Sequence, residues 1–491
     1  MNQVQISKMF CILNCLGPMI LTKNLTILYI IMFREIQKSL SLILFFLIFS
    51  PLLKAELPNF IIIFTDDQGY EDIGCFGSPK IKTPHLDRMA TEGRKFTSFY
   101  SANSVCSPSR AALMTGSYPT RVSVPGVLFP RHEIGLNPDE VTIADILKGK
   151  GYATACIGKW HIGHKPKFLP TNQGFDSYFG IPYSNDMTID PEASLADNVN
   201  LRDGFTKERI KKEKPKKNLV PLMRNEKVIE YPCDQTTLTK RYTEEAIKFI
   251  SENKDSPFFL YLPHTMPHIP LFASEQFKGK SERGLYGDTI EEIDWSVGQI
   301  LKTIKEQKID QRTLVIYTSD NGPWKLNRGR GGSAYPLRGF KFQTYEGGMR
   351  VPCIMRWPGK VPKGTSCDEV AASIDLMPTI AKLVGADLMK DRKIDGKNIW
   401  PLISGIEGAV SPHEIYYYYK GNRLESARQG KWKIRRSGKK SQAVELYDLD
   451  SDISETKNLA KENEPLVQDM IKKMNLFDED LKKSQRPVGK L

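Results

Sequence analysis

Cysteine is scarce in this chain, eight among 491 residues, which excludes a small scaffold built on disulfides. No apolar run reaches the ~20 residues that span a bilayer, so a polytopic membrane protein is excluded as well. Glycine and proline, 36 and 31 residues, show none of the bias of collagen or low-complexity disorder. Histidine is rarer still at seven, and no His-rich set of zinc ligands stands out. The one glycosylation sequon, Asn24-Leu-Thr, lies near the N-terminus. A glycosylated eukaryotic secretory protein usually carries more, so a bacterial protein is expected.

What is present is globular: 40% apolar and 26% charged residues, in a chain long enough for a large core. The net charge is +13. Lys8, Lys23, Arg34, Lys38 and Lys54 against the single acid Glu35 put part of it in residues 1–55, leaving about +9 beyond. Such a balance suits an anionic partner. From Met32 the chain reads MFREIQKSLSLILFFLIFSPLLKA, with Arg34 and Lys38 as a basic start, Ser39–Leu53 as an apolar run and Lys54-Ala55 as a cleavage point. That is the layout of a secretory signal, with Met32 as an alternative start and an uncleaved anchor as the rival reading. Residues 1–55 are therefore expected to be a leader. The protein is expected in the bacterial periplasm or outside the cell, with no stable membrane span.

Asn59–Thr65 (NFIIIFT) is a continuous apolar, β-branched run, as expected of a strand buried on both faces. Similar runs recur at Phe96–Ser101, Tyr152–Ile157, Phe258–Leu262 and Thr313–Thr318, with helical patterns such as Thr142–Lys150 and Thr243–Ser251 between them. The alternation predicts an α/β fold, a large mostly parallel sheet sandwiched by helices, over residues 56–386. Residues 187–230 break the pattern, and the charged Lys207–Lys217 reads as a solvated loop or insertion. Residues 387–491 read as a smaller C-terminal α+β domain. Its strands are expected at Ile415–Tyr419, Lys431–Arg436 and Val444–Tyr447, with an amphipathic helix near Glu464–Leu481.

In parallel sheets, sites gather beyond the carboxyl ends of the strands. Asp66-Asp67 follow the first strand, and Asp320-Asn321 follow Thr313–Thr318. A strand-end Asp pair alone is usually a turn or cap. Two such pairs on one edge would bring three carboxylates and an amide together, and a divalent cation is the natural resolution. All-oxygen ligation suits Ca²⁺ or Mg²⁺ rather than zinc. Between the pairs lies Cys106-Ser-Pro-Ser-Arg110-Ala-Ala-Leu-Met-Thr-Gly116. Pro108 fits a helix's first turn, so Cys106 stands at a helix N-terminus, where backbone N–H groups favour an anion.

The string Cys-x-Pro-x-Arg with its continuation resembles the signature of the formylglycine-dependent sulfatases, of the arylsulfatase A-like type. Pro125-Gly-Val-Leu-Phe-Pro130, Gly158-Lys-Trp-His-Ile-Gly163, Gly180-Ile-Pro-Tyr-Ser184, Thr318-Ser-Asp-Asn-Gly322 and Thr344-Tyr-Glu-Gly-Gly348 fit the same family, from about Pro58 to the C-terminal domain. The resemblance implies an alkaline phosphatase-related fold, conversion of Cys106 to Cα-formylglycine by a maturation enzyme, and Ca²⁺ held by Asp66, Asp67, Asp320, Asn321 and the modified Cys106. It implies that Arg110 steadies the hydrated aldehyde, that Lys159 binds sulfate or the aldehyde hydrate, that Ser184, His268 and Lys341 bind substrate, and that His161 assists sulfate release. The resemblance also implies an acid for the leaving alcohol, one of the two histidines in His264-Thr-Met-Pro-His268-Ile-Pro acting with Lys341. His268, before its x-Pro step, is preferred.

The implied reaction is hydrolysis of a sulfate ester, on a sulfated glycan or small molecule, with no nucleic acid partner. One hydroxyl of the formylglycine hydrate attacks sulfur, with Asp320 as base, and the second, deprotonated by His161, expels sulfate. Aryl or lipid sulfates stand as alternative substrates. A phosphatase of the same superfold would be expected to use Ser or Thr and His-rich zinc ligands. A silent glycan-binding protein would result if Cys106 stayed unmodified.

Overall fold

The computed structural model describes residues 29–38, 57–214, 216–326, 331–437 and 443–491. The chain divides into two compact units, residues 1–56 and 57–491. In the first, residues 29–38 form an exposed helix that includes Arg34 and Lys38, while the apolar run Ser39–Leu53 lies outside the described residues. Among the described residues no helix is long and apolar enough to cross a membrane.

The second unit is built on an 11-stranded sheet. Five neighbouring central strands run parallel, in the order Thr313–Ser319, Asn59–Thr65, Phe258–Pro263, Ala153–Ile157 and Ser177–Gly180. Cys353–Arg356 flanks them antiparallel on one side and Leu222–Arg224 on the other. Alternation along the first strand sets the layers. Phe60, Ile62 and Phe64 pack with Leu113 and Met114 of the helix Cys106–Thr115 and with Leu376 and Ile380 of the helix Leu376–Leu383. Ile61 and Ile63 face the other side, against Tyr242 of Leu238–Glu252 and Ile290 and Val297 of Leu285–Glu306. Both faces are covered, which is why the strand carries no polar alternation.

Three local expectations are corrected. The run Phe96–Ser101 is two short strands, Arg94–Phe96 in the main sheet and Phe99–Tyr100 paired with Ala371–Ala372. At the step between them Thr97 donates its N–H to Cys367, and Ser98 accepts from Ala371. Residues 187–230, read as a break in the strand–helix pattern, supply strands to the main sheet. Leu195–Leu201, Leu222–Arg224 and Lys227–Tyr231 extend the main sheet to its far edge, and their half-exposed edge positions hide the strand pattern. Within the charged run, Lys207–Lys212 is a short helix, started by Thr206 accepting from the Arg209 N–H and seated by buried Ile210.

The C-terminal region adds a four-stranded antiparallel sheet, Tyr416–Lys420, Arg423–Gln429, Trp432–Ser437 and Ala443–Asp448. The helix Glu464–Lys483 covers it with Val467, Met470, Met474 and Leu481. The strand Arg423–Gln429 (RLESARQ) escapes a hydropathy reading because its buried polar groups are paired: Glu425 accepts from Thr344 at 2.5 Å, and Arg428 donates to Tyr100. None of the six cysteines beyond residue 56 is joined in a disulfide.

This small sheet is tied to the segment around Glu346 through buried charge. Lys433 Nζ lies 2.9 Å from both Glu346 and Glu455, all fully buried, and Glu346 also accepts from Tyr100 at 2.6 Å. Removing one member of such a group strands uncompensated charge. Lys433→Met should therefore cost about 3–5 kcal/mol in equilibrium urea unfolding, far more than an exposed lysine would. His413 supplies a pH-dependent tie, its Nε2 2.7 Å from Asp375. Burial opposes the imidazolium, but the Asp375 carboxylate outweighs it and raises the His413 pKa. The stabilisation is then complete below the ordinary imidazole range, about 6.5, and fades as pH rises through the raised value. His413→Gln should flatten that slope in melting temperatures measured from pH 5.5 to 8.5.

Candidate active site

The pairing of two strands assembles the site. Thr65 sits opposite Ser319, so the residues that follow emerge side by side at the carboxyl edge. Asp320 donates its N–H to Thr65 at 3.0 Å, and Asp67, held at φ 64°, donates its own to Asp320 Oδ1 at 3.1 Å. Gly322 then passes so close to Gly347 that a Cβ would lie 1.9 Å from its carbonyl oxygen, which interlocks the Asp320-Asn321-Gly322 turn with Tyr345–Gly348.

Cys106 opens the helix Cys106–Thr115, after an extended Val105 and before Pro108. Its Sγ stands 3.5 Å from Asp66 Oδ1 and 3.5 Å from Lys341 Nζ. One turn on, Arg110 places Nη2 2.8 Å from Asp320 Oδ2 and 3.5 Å from Asp66 Oδ2, and donates Nη1 to the Lys159 carbonyl. Lys159 pairs with Asp66 and donates to Ser184 Oγ at 3.2 Å. Lys341 reaches Asp67 at 2.8 Å. Three carboxylates thus face three cations, all buried.

The charges answer to one another. Burial works against an ionised Asp66, but Lys159, His268, Arg110 and Lys341 prevail and hold its carboxyl well below the usual range. Asp320 is pushed the other way, by burial and by Asp66. Burial and the Asp66 charge also raise the Cys106 thiol, so an unmodified Cys106 is neutral and a poor nucleophile.

Of the two histidines after Phe258–Pro263, the structure brings His268 into the cluster. Its Nδ1 lies 2.6 Å from the Ile269 carbonyl and 3.0 Å from Asn185 Oδ1, so the Nδ1–H donates there. Nε2 is left 3.6 Å from Asp67 and 3.4 Å from Ser184 Oγ. His264 bonds Ser296 at 3.3 Å, under Tyr242, and burial pushes its pKa down to about 3. His161, held at φ 64°, is buried with Nε2 3.0 Å from the Leu128 carbonyl and Nδ1 without a partner. Burial, Lys159 and Arg110 keep it neutral. Asn185 and Trp324, whose ring lies 5.6 Å from that of His268, were not singled out from the sequence. Their one signal is adjacency, directly after Ser184 and just beyond Asp320–Gly322.

Asp66, Asp67, Cys106 and His268 each offer a ligand atom within 4.8 Å of the others. Asn321 donates to Asp67 at 2.7 Å, while its buried Oδ1 has no partner. An orphaned amide oxygen beside three carboxylates fits a hard divalent cation.

A cationic nest around a helix-terminal cysteine, at the carboxyl edge of a parallel sheet, defines a hydrolase of anionic esters on an alkaline phosphatase-like fold. The chain belongs to the sulfatase family, whose model matches residues 58–386, and is a sulfuric ester hydrolase of the arylsulfatase A-like type. The C-terminal model of N-sulphoglucosamine sulphohydrolase matches residues 340–483. Human arylsulfatase A is 40% identical over 376 residues, 74% of this chain and 71% of that protein. N-acetylgalactosamine-6-sulfatase of Sus scrofa is 39% identical over 388 residues, 77% of this chain and 71% of that protein. The crystal structure of Ps i-CgsB superposes with a TM-score of 0.76 at 31% identity, covering 88% of this chain and 94% of the other.

Proposed function

We propose that this enzyme removes sulfate from sulfated carbohydrates, using a Cα-formylglycine made from Cys106 by a maturation enzyme, and that it works after export in the periplasm or outside a bacterial cell. The observation that carries the reading is Cys106 at a helix N-terminus, within 3.5 Å of both Asp66 and Lys341. Similarity to N-acetylgalactosamine-6-sulfatase and to Ps i-CgsB, also solved with a neocarrahexaose bound, supports a carbohydrate substrate.

The hydrated aldehyde would supply two hydroxyls on one carbon, one to attack sulfur and one to expel sulfate, where a serine would leave a sulfate ester for water to cleave. Asp66, Asp67, Asp320, Asn321 and the modified Cys106 would hold Ca²⁺, which supplies positive charge for the sulfuryl oxygens. Arg110, locked to Asp320, orients the hydrate. Lys159, Lys341 and Ser184 grip the sulfuryl oxygens from positions already fixed by Asp66 and Asp67, so little reorganisation is needed as charge develops. His268, its Nδ1–H held by Asn185 and Ile269, gives the departing alcohol a proton from Nε2 as the imidazolium, a form that burial and Lys341 oppose and that Asp67 and Asp66 favour. His161, neutral and with Nδ1 unengaged, accepts the proton that frees sulfate.

The acid assignment is tested by leaving-group dependence. A sugar alkoxide needs a proton to leave and an activated phenolate does not, so His268→Ala should cut kcat/KM on a sugar sulfate about 10²–10⁴-fold and on an activated aryl sulfate much less. Equal losses would assign His268 to binding instead. His264→Ala should affect both substrates mildly and alike. For the metal, EDTA should lower both activity and melting temperature, and Ca²⁺ should restore them. Saturation at 100 times Kd is worth about 2.7 kcal/mol. A stoichiometric requirement for zinc would overturn this part of the reading.

A further inference from the structure

Outside the charged cluster but touching it stand two aromatic residues with no part in the chemistry above. The Trp324 ring lies 5.6 Å from the His268 ring and 5.6 Å from Phe342, the last at an interplanar angle of 78°. Lys341 Nζ lies 4.7 Å from the centre of Trp324 and 5.5 Å from that of Phe342. The two rings therefore form an apolar corner beside the very groups that would grip the sulfuryl oxygens and protonate the leaving atom. The corner faces outward: Lys341 and His268 are buried, Trp324 is half-buried, and Phe342 is 40% exposed.

The backbone is strained to place Phe342 there. Gln343 donates its N–H to Phe340, closing a turn in which Phe342 is the third residue, at φ 73°. Glycine or asparagine suits that position, and a bulky side chain there is an outlier. The same Phe342 donates its N–H to Ser104, two residues before Cys106, so the turn is tied directly to the approach to the nucleophile. A strained backbone that presents an exposed ring beside a reactive site is a feature with a use.

We propose that Trp324 and Phe342 form an aromatic subsite that stacks on the pyranose ring carrying the sulfate ester. The sulfate enters the charged cluster, the C–H face of the sugar packs on the aromatic corner, and its hydroxyls stay toward water. This rests on the sulfate-ester reading and adds what recognises the alcohol part.

The test compares a monosaccharide sulfate, a small aryl sulfate and an acyclic alkyl sulfate. Phe342→Gly removes the ring while relieving the backbone, and a melting temperature at or above that of the parent would show it folded. It should raise KM for the sugar sulfate about 3–10-fold, the range of one aromatic contact, with a smaller change in kcat, so that the sugar-to-alkyl ratio of kcat/KM falls by about that factor. Phe342→Tyr should preserve the ratio. Calorimetric binding of the same sugar sulfate to Cys106→Ala protein, with and without Phe342→Gly, reads the contact without turnover and should weaken by the same factor. An unchanged ratio and unchanged binding, or a loss confined to the aryl sulfate, would overturn the proposal. Intact sugar-sulfate binding with no turnover by the matured parent enzyme would count against the sulfate-ester reading, and not against the subsite.

Discussion

The site depends on one constraint: three carboxylates are buried together at the end of two paired strands. The register that sets Thr65 against Ser319 makes this unavoidable, because Asp66-Asp67 and Asp320 leave the sheet side by side. Such a group is unstable by itself and must be met by positive charge. Arg110, Lys159 and Lys341 meet it from three separate segments, a helix, the end of a strand and a turn, and each is thereby fixed in place. What stabilises the acids also fixes the three cations at one edge of the sheet. The unengaged Asn321 oxygen marks where this balance still has room for a cation.

The second constraint lies farther out. Glu346, in the Tyr345–Gly348 segment that locks against Gly322, is itself held by Lys433 of the C-terminal sheet. Lys341 stands five residues before Glu346 on the same segment. The C-terminal strands thus fix the loop that carries Lys341, the partner of Asp67, which gives them a part in the charged cluster that they do not themselves line.

The central architecture is legible in the sequence because strands buried on both faces write themselves as unbroken apolar runs, as NFIIIFT does. The cluster is legible because its residues sit in short ordered motifs at strand ends. Edge strands are harder: Leu195–Leu201 alternates weakly, and Arg423–Gln429 buries polar groups whose partners lie far off in sequence, such as Thr344 and Tyr100. The choice between His264 and His268 turns on which ring reaches Asp67, and a sequence holds no distances. Trp324 and Phe342 carry no motif, and only the turn's left-handed φ sets Phe342 apart.

The central claim is that Cys106 is the precursor of the nucleophile, and mass spectrometry tests it most directly. The tryptic peptide from Phe96 to Arg110 should be lighter than its encoded mass by about 18 Da, the loss of a thiol in favour of an aldehyde. Across preparations made with and without a maturation enzyme, the sulfatase turnover number should rise in proportion to the fraction of that lighter peptide. Full turnover by protein whose peptide retains the intact thiol would contradict the account.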